Sequence, residues 1–169
     1  PLVILYEPGV YFTHDPIYIN GNMDFNDTAV LEGWFGDGSA SNPFMIQHYQ
    51  ISSIDYAITI INTNYYFILE NCECIGGLYF SLVSNGQIFN NIFKDISYPA
   101  IGMVVYESVN CNFSRNIIQT ASGLGAQIGA GSLLRFDKNL FQDTAWGVQL
   151  SDCTDSKFIF NNIVRTSYG

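Results

Sequence analysis

The chain is 169 residues long, 48% apolar and only 12% charged, enough apolar material for one continuous core with no need of a second domain. Its 6 basic and 15 acidic residues leave a net charge of −9, so nothing on it neutralises phosphates, and nucleic acid is excluded as a partner. No apolar run is long enough to cross a membrane as a helix, and the acidic, charge-poor composition rich in Tyr and Asn suits a secreted or cell-surface protein.

In chain order, residues 1–13 read as an N-terminal strand or arm, in which Leu2 to Tyr6 is a short apolar strand ahead of Glu7-Pro8-Gly9. That strand either pairs within its own first coil or adds to the open edge of another subunit. Residues 14–45 form a cap. Within it, Asp24 to Trp34 opens with helix-starting polar residues, offers Phe25, Val30, Leu31 and Trp34 as a lid over the first coil, and stops at Gly33.

From residue 46 to residue 169 the chain repeats itself. Hydrophobic-x-x-Asn-hydrophobic recurs at Ile68 to Cys72, Ile88 to Ile92, Phe113 to Ile117, Phe136 to Leu140 and Ile159 to Ile163. The steps between asparagines are 91−71=20, 116−91=25, 139−116=23 and 162−139=23, the period of a solenoid that tolerates insertions. Leucine is sparse at the repeating positions, and alternating runs such as Ala57-Ile58-Thr59-Ile60 and Gly147-Val148-Gln149-Leu150 have the period of strands. Gly, Ser, Asn and Asp separate them, as at Gly76-Gly77, Ser84-Asn85-Gly86, Ser122-Gly123 and Ser151-Asp152. The expected fold is therefore all-β: a parallel β-helix of about six coils with one short capping helix, in which Asn71, Asn91, Asn116, Asn139 and Asn162 stack as a ladder. Its C-terminal end carries no capping helix and no charged edge, so the expectation is either that the chain continues beyond Gly169 or that the arm of another subunit docks there end to end.

On these repeats, residues 46–169 resemble the right-handed parallel β-helices of pectate-lyase-like and NosD-like proteins. The segment His14 to Asn22, followed by Glu32-Gly33-Trp34, Gly36-Asp37-Gly38-Ser39 and Asn42-Pro43-Phe44-Met45-Ile46, is similar to the start of secreted archaeal β-helix proteins. The resemblance implies the fold and leaves activity open, because β-helices serve lyases, hydrolases, adhesins and inert scaffolds alike.

Sugar-cleaving chemistry needs outward carboxylates, or carboxylates with a basic residue. Four residues after the asparagines stand Ile75, Asp95, Thr120, Asp143 and Thr166, so Asp95 and Asp143 fall two coils apart, about 9.6 Å along the axis. The column just before the asparagines, Glu70, Asn90, Arg115, Lys138 and Asn161, stacks Arg115 on Lys138 beside Asp137, a spot suited to a uronic acid or to local ion pairs. Tyr79, Tyr98 and Trp146 follow their asparagines by seven or eight residues and are candidates for a sugar platform. Asn26-Asp27-Thr28 and Asn112-Phe113-Ser114 fit the glycosylation pattern. Cys72, Cys74, Cys111 and Cys153 read as core thiols, with a bridge from Cys74 to a neighbouring coil as the other reading, and His14 and His48 read as structural. The sequence holds no pattern for a metal triplet or a cofactor.

Three functions are compatible with these residues. The leading one is a non-catalytic extracellular scaffold, adhesin or filament-forming unit. The second is a polysaccharide lyase, hydrolase or binding module using Asp95, Asp143, Arg115 or Lys138, and the third is a NosD-like accessory protein, which the few His and Met residues support poorly.

Overall fold

The computed structural model describes residues 10–97, 100–119 and 121–166; the arm strand Leu2 to Tyr6 lies outside them. The chain opens with β1 (Phe12–His14), β2 (Ile17–Asn20) and helix α1 (Asn22–Glu32). It then winds through β3 (Phe44–Gln47), β4 (Tyr49–Thr63), β5 (Phe67–Glu70), β6 (Glu73–Val83), β7 (Gly86–Phe89), β8 (Ile92–Lys94), β9 (Met103–Tyr106), β10 (Asn112–Ser114) and β11 (Ile117–Gln119). The last coils hold β12 (Leu124–Gly129), β13 (Arg135–Asp137), β14 (Leu140–Gln142), β15 (Trp146–Ser151), β16 (Lys157–Ile159) and β17 (Asn162–Val164).

Every strand pairs in parallel with its equivalent one coil away. Strands β3, β5, β7, β10, β13 and β16 stack into one six-stranded sheet, so five turns of the coil join its members, and the remaining strands form an eleven-stranded sheet. This is a parallel β-helix, and the alternation along each strand explains why. The six-stranded sheet turns Ile46, Leu69, Ile88, Phe113, Phe136 and Phe158 inward in exact register, each directly above the last. All but Phe158 are buried, and Phe113 stacks on Phe136 at 4.6 Å with the rings parallel. The facing wall supplies Ile19, Ile60, Phe80, Val105 and Ile128 in the same way.

Glycine holds one flank of the stack. Gly77, Gly102, Gly125 and Gly147 each precede an inward-facing apolar residue, and a Cβ on any of the first three would run into the backbone carbonyl of the following coil. Only Gly allows that approach.

The cap differs from its sequence reading in which side it buries. Helix α1 begins at Asn22, two residues before Asp24, and the Asp24 carboxylate turns back to accept the Asn20 N–H at 2.7 Å. Gly33 ends the helix at φ 70°, in the left-handed conformation expected of a stop. Phe25 and Ala29, one helical turn apart, face the core, and Phe25 lies stacked on Phe44 at 5.1 Å. Val30 and Leu31 were expected to join the lid, but they fall on the opposite side of the helix and are 75% and 83% exposed. Trp34 is half-buried against the core as anticipated.

Candidate functional site

Four corners turn the coil, and each uses one residue in the left-handed region. One corner stacks His48, Asn71, Asn90, Arg115, Lys138 and Phe160, all with φ between 53° and 61°. A second holds Asn62, Leu82, Glu107, Ala130 and Asp152, a third Asn85, Asn110, Leu133 and Asp155, and a fourth Asp95, Asp143 and Arg165. For a side-chain-bearing residue this conformation costs about 1 kcal/mol or more, so something else must enforce it. At three of the corners some coils supply the enforcing group in the next residue: an inward polar side chain, Asn91, Cys72, Ser108, Cys153, Cys111 or Ser156, aimed at the carbonyl two residues back.

At the first corner that side chain is asparagine. Asn91 Nδ2 donates to Phe89 O and Leu69 O and to Asn116 Oδ1, while its own Oδ1 accepts the Cys72 N–H. Asn116 repeats the pattern onto Asn139, and Asn139 onto Asn161. Asn91 and Asn116 have no exposure at all. The ladder is thus Asn91, Asn116, Asn139 and Asn161, which corrects the register at both ends. Asn71 occupies the left-handed corner itself, and Asn162 lies one residue past the column, opposite Leu140 in β17. The corner column likewise holds Asn71 and Phe160 where Glu70 and Asn161 were expected.

Sulfur and hydroxyl do the same work where asparagine is missing. Cys72 takes the ladder position of its coil and its thiol points to Glu70 O at 3.4 Å. Ser108 Oγ donates to Tyr106 O and accepts the Val83 N–H, and Ser156 Oγ donates to Thr154 O and accepts the Leu134 N–H. Cys111 and Cys153 direct their thiols to Val109 O and Ser151 O. All four cysteines are free, so the alternative bridge from Cys74 is not formed. Burial pushes the Cys72 thiol up to about 12 and the Cys111 thiol up to about 11, and raises Cys74 well above its usual range. Cys72 and Cys111 are thus protonated hydrogen-bond donors.

The candidate acids and bases sit at corners too. Asp95 and Asp143 share one column two coils apart, as the spacing anticipated, but Asp143 is bound by Arg165, whose Nε and Nη2 donate to it at 2.5 and 2.7 Å. That guanidinium holds the Asp143 carboxyl below its ordinary range, so it stays ionised. Sequence reasoning placed Thr166 in this column; Arg165 stands there instead, for the same one-residue reason as Asn161. Arg115 and Lys138 are neighbours in the first corner column, where the Arg115 N–H donates to Asp137 O. The Asp137 side chain pairs with Arg135 at 2.9 Å and not with either of them.

The aromatic candidates do not form one line. Tyr79 pairs in register with Thr59 and Val104, whereas Trp146 lies opposite Leu124, on a different row of the sheet; Tyr98 is outside the described residues. The ring of Tyr79 packs 5.2 Å from Tyr56, which sequence reasoning did not single out. Of the two glycosylation candidates, Asn26 is exposed on helix α1, and Asn112 lies half-buried in β10 with its Oδ1 enclosed and unbonded. Neither occupies the exposed loop that modification favours.

A cleft of about 180 Å³ lies between the cap and the first coil, lined by Phe12, Glu32, Trp34, Phe35, His48 and Tyr49 among others. Trp34 Nε1 donates to Tyr49 Oη at 2.9 Å, the His14 ring lies 4.3 Å from that of Tyr49, and His14 Nε2 meets Glu32 Oε2 at 3.1 Å. Burial raises the Tyr49 hydroxyl above its ordinary value. The adjacent Glu32-Gly33-Trp34-Phe35 run, an acid followed by a half-buried and an exposed ring, is the trace of this cleft in the sequence.

Residues 7–168 match the family model described as periplasmic copper-binding protein (NosD). No match is found among curated proteins.

Proposed function

The chain belongs to the NosD family, and from that premise we propose that it is a non-catalytic β-helix scaffold that works outside the cytoplasm, through its surfaces and not through chemistry at a catalytic centre. What carries this reading is the employment of its charged candidates. Asp143 is committed to Arg165, and Asp137, next to Lys138 in the chain, is paired with Arg135. A general acid needs a carboxyl that keeps its proton near neutral pH, and Asp143 is driven the other way. Among the described residues no helix is long and apolar enough to cross a membrane.

The reading is tested on acidic and neutral polysaccharides, following new reducing ends and unsaturated products. No turnover is the expected result. Turnover that disappears in a D95N/D143N double variant would overturn it in favour of a lyase or hydrolase.

The family's name favours a second reading, an accessory role around copper. This chain's donor set does not fit a copper centre. Cys72 and Cys111 spend their thiols on backbone carbonyls and hold their protons, whereas a thiolate is what binds the metal. Among the described residues no three His, Cys, Asp or Glu side chains converge on a common point. Stoichiometric copper uptake in a calorimetric titration would restore that reading.

Assembly is the form in which we expect a scaffold to act. The last described coil exposes Leu150, Phe158 and Ile163, whose equivalents one coil earlier, Ile128, Phe136 and Phe141, are buried. A further coil, of this chain or of a second copy, is the complementary surface.

A further inference from the structure

The cleft under the cap has a chemistry of its own, independent of the scaffold reading. Its walls are aromatic: Trp34 and Tyr49 are locked to each other by the indole–hydroxyl bond, while Phe12 and Phe35 remain 64% and 77% exposed at its rim. Large rings left in water around a concave site, with one ring pair held rigid, are the arrangement that receives a ligand at low ordering cost. At about 180 Å³ the cleft is smaller than the roughly 300 Å³ at which drug-sized sites begin, so it suits a compact head group.

The charge of the chain selects the sign of that group. All six Lys and Arg residues lie at or beyond Lys94, while nine of the fifteen acids precede it, so residues 1–93 carry −9 and residues 94–169 carry 6−6=0. The whole net charge of the protein therefore belongs to the cap and first coils, where the cleft is. Glu32 brings one of those carboxylates into the lining, and its contact with His14 uses only Oε2. A ring face attracts a cation electrostatically, a nearby carboxylate adds to that attraction, and an anionic or zwitterionic ligand would be opposed by the surrounding field. Neutral sugars would use the rings but not the charge.

We propose that the cleft formed by Phe12, Glu32, Trp34, Phe35 and Tyr49 binds a small quaternary-ammonium cation of the choline kind. The rings enclose the methylated head, and Glu32 neutralises it. His48, whose Nδ1 is enclosed without a partner, lies in the same lining.

The test is calorimetric titration of the full chain with choline chloride, and in parallel with 3,3-dimethyl-1-butanol, which has the same shape and no charge. Saturable 1:1 binding of choline in the millimolar range is expected, with the neutral alcohol about tenfold weaker or worse. Glu32→Gln and Phe35→Ala change exposed side chains and should leave the circular dichroism spectrum intact, and each should weaken choline binding by about three- to tenfold. Equal binding of the alcohol would reduce the cleft to an apolar hole and overturn the proposal. So would absence of saturable heat with choline, or choline binding that both variants leave unchanged.

Discussion

Two corners of the same coil solve one problem with different chemistry. At the asparagine corner Asn91 bonds to the carbonyl two residues back, and Asn91, Asn116 and Asn139 each bond to a carbonyl of the coil before and to the next asparagine. At the corner that follows Tyr106, Ser108 makes the first kind of bond and accepts one N–H from the neighbouring coil, and there it stops. The amide has two donors and an acceptor on one rigid plane, whereas a hydroxyl has a single proton to give. Closing the turn therefore requires only a small donor, which Ser and even Cys provide. Continuity from coil to coil requires an amide, and the ladder is where register is held.

The largest effect that would test this contrast is at the middle of the ladder. Asn116→Ala strands the Asn91 N–H and the Ile88 carbonyl in the buried interior, and we expect a loss of about 3 kcal/mol in urea unfolding. Ser108→Ala, at the simpler corner, should cost about 1 kcal/mol in the same measurement. Equal losses would erase the distinction drawn between the two corners.

A third prediction concerns the corner where sulfur replaces the amide. The folded state holds the Cys72 thiol at about 12 against an ordinary value near 9, so folding favours the protonated form. Its contribution is fully present below about pH 9 and is lost as the pH rises toward 12. Thermal unfolding between pH 8 and pH 11 should show that decline, and Cys72→Ser should make it shallower. The smallest effect is expected at the end of the ladder, where Asn162→Ala should stay within about 0.5 kcal/mol while Asn161→Ala costs about 1 kcal/mol. The reverse order would return the ladder to the register that the sequence suggests.

That register shows how far residues alone can be read. The solenoid, the parallel strands, the helical cap with its stop at Gly33, and the central rungs Asn91, Asn116 and Asn139 are all legible, because a repeating pattern states the same fact several times. The ends of the ladder are not legible. In Glu70-Asn71-Cys72 the only amide falls on the corner and the rung is a thiol, and in Phe160-Asn161-Asn162 two amides compete while the corner is filled by Phe. The rule obeyed by the structure is that the rung follows the left-handed residue, and backbone conformation is not written in side-chain type. The glycine column at 77, 102, 125 and 147 was visible as letters, but its purpose is close approach between coils, which no single repeat reveals. The cleft under the cap was hidden for a related reason. Phe12, Glu32 and Tyr49 are distant in sequence, and only the winding of the first coil brings them together.

The corner columns carry Asn, Arg, Lys, Phe, Glu, Ala, Leu and Asp in one backbone shape, so the shape does not depend on which side chain stands outward there. The surface thus offers parallel rows of addressable points at a spacing of about 4.8 Å along the axis. Probes placed at Arg115 and Lys138, or at Glu107 and Ala130, would sit one graduation apart, and the protein would serve as a ruler whose markings can be rewritten without disturbing its length.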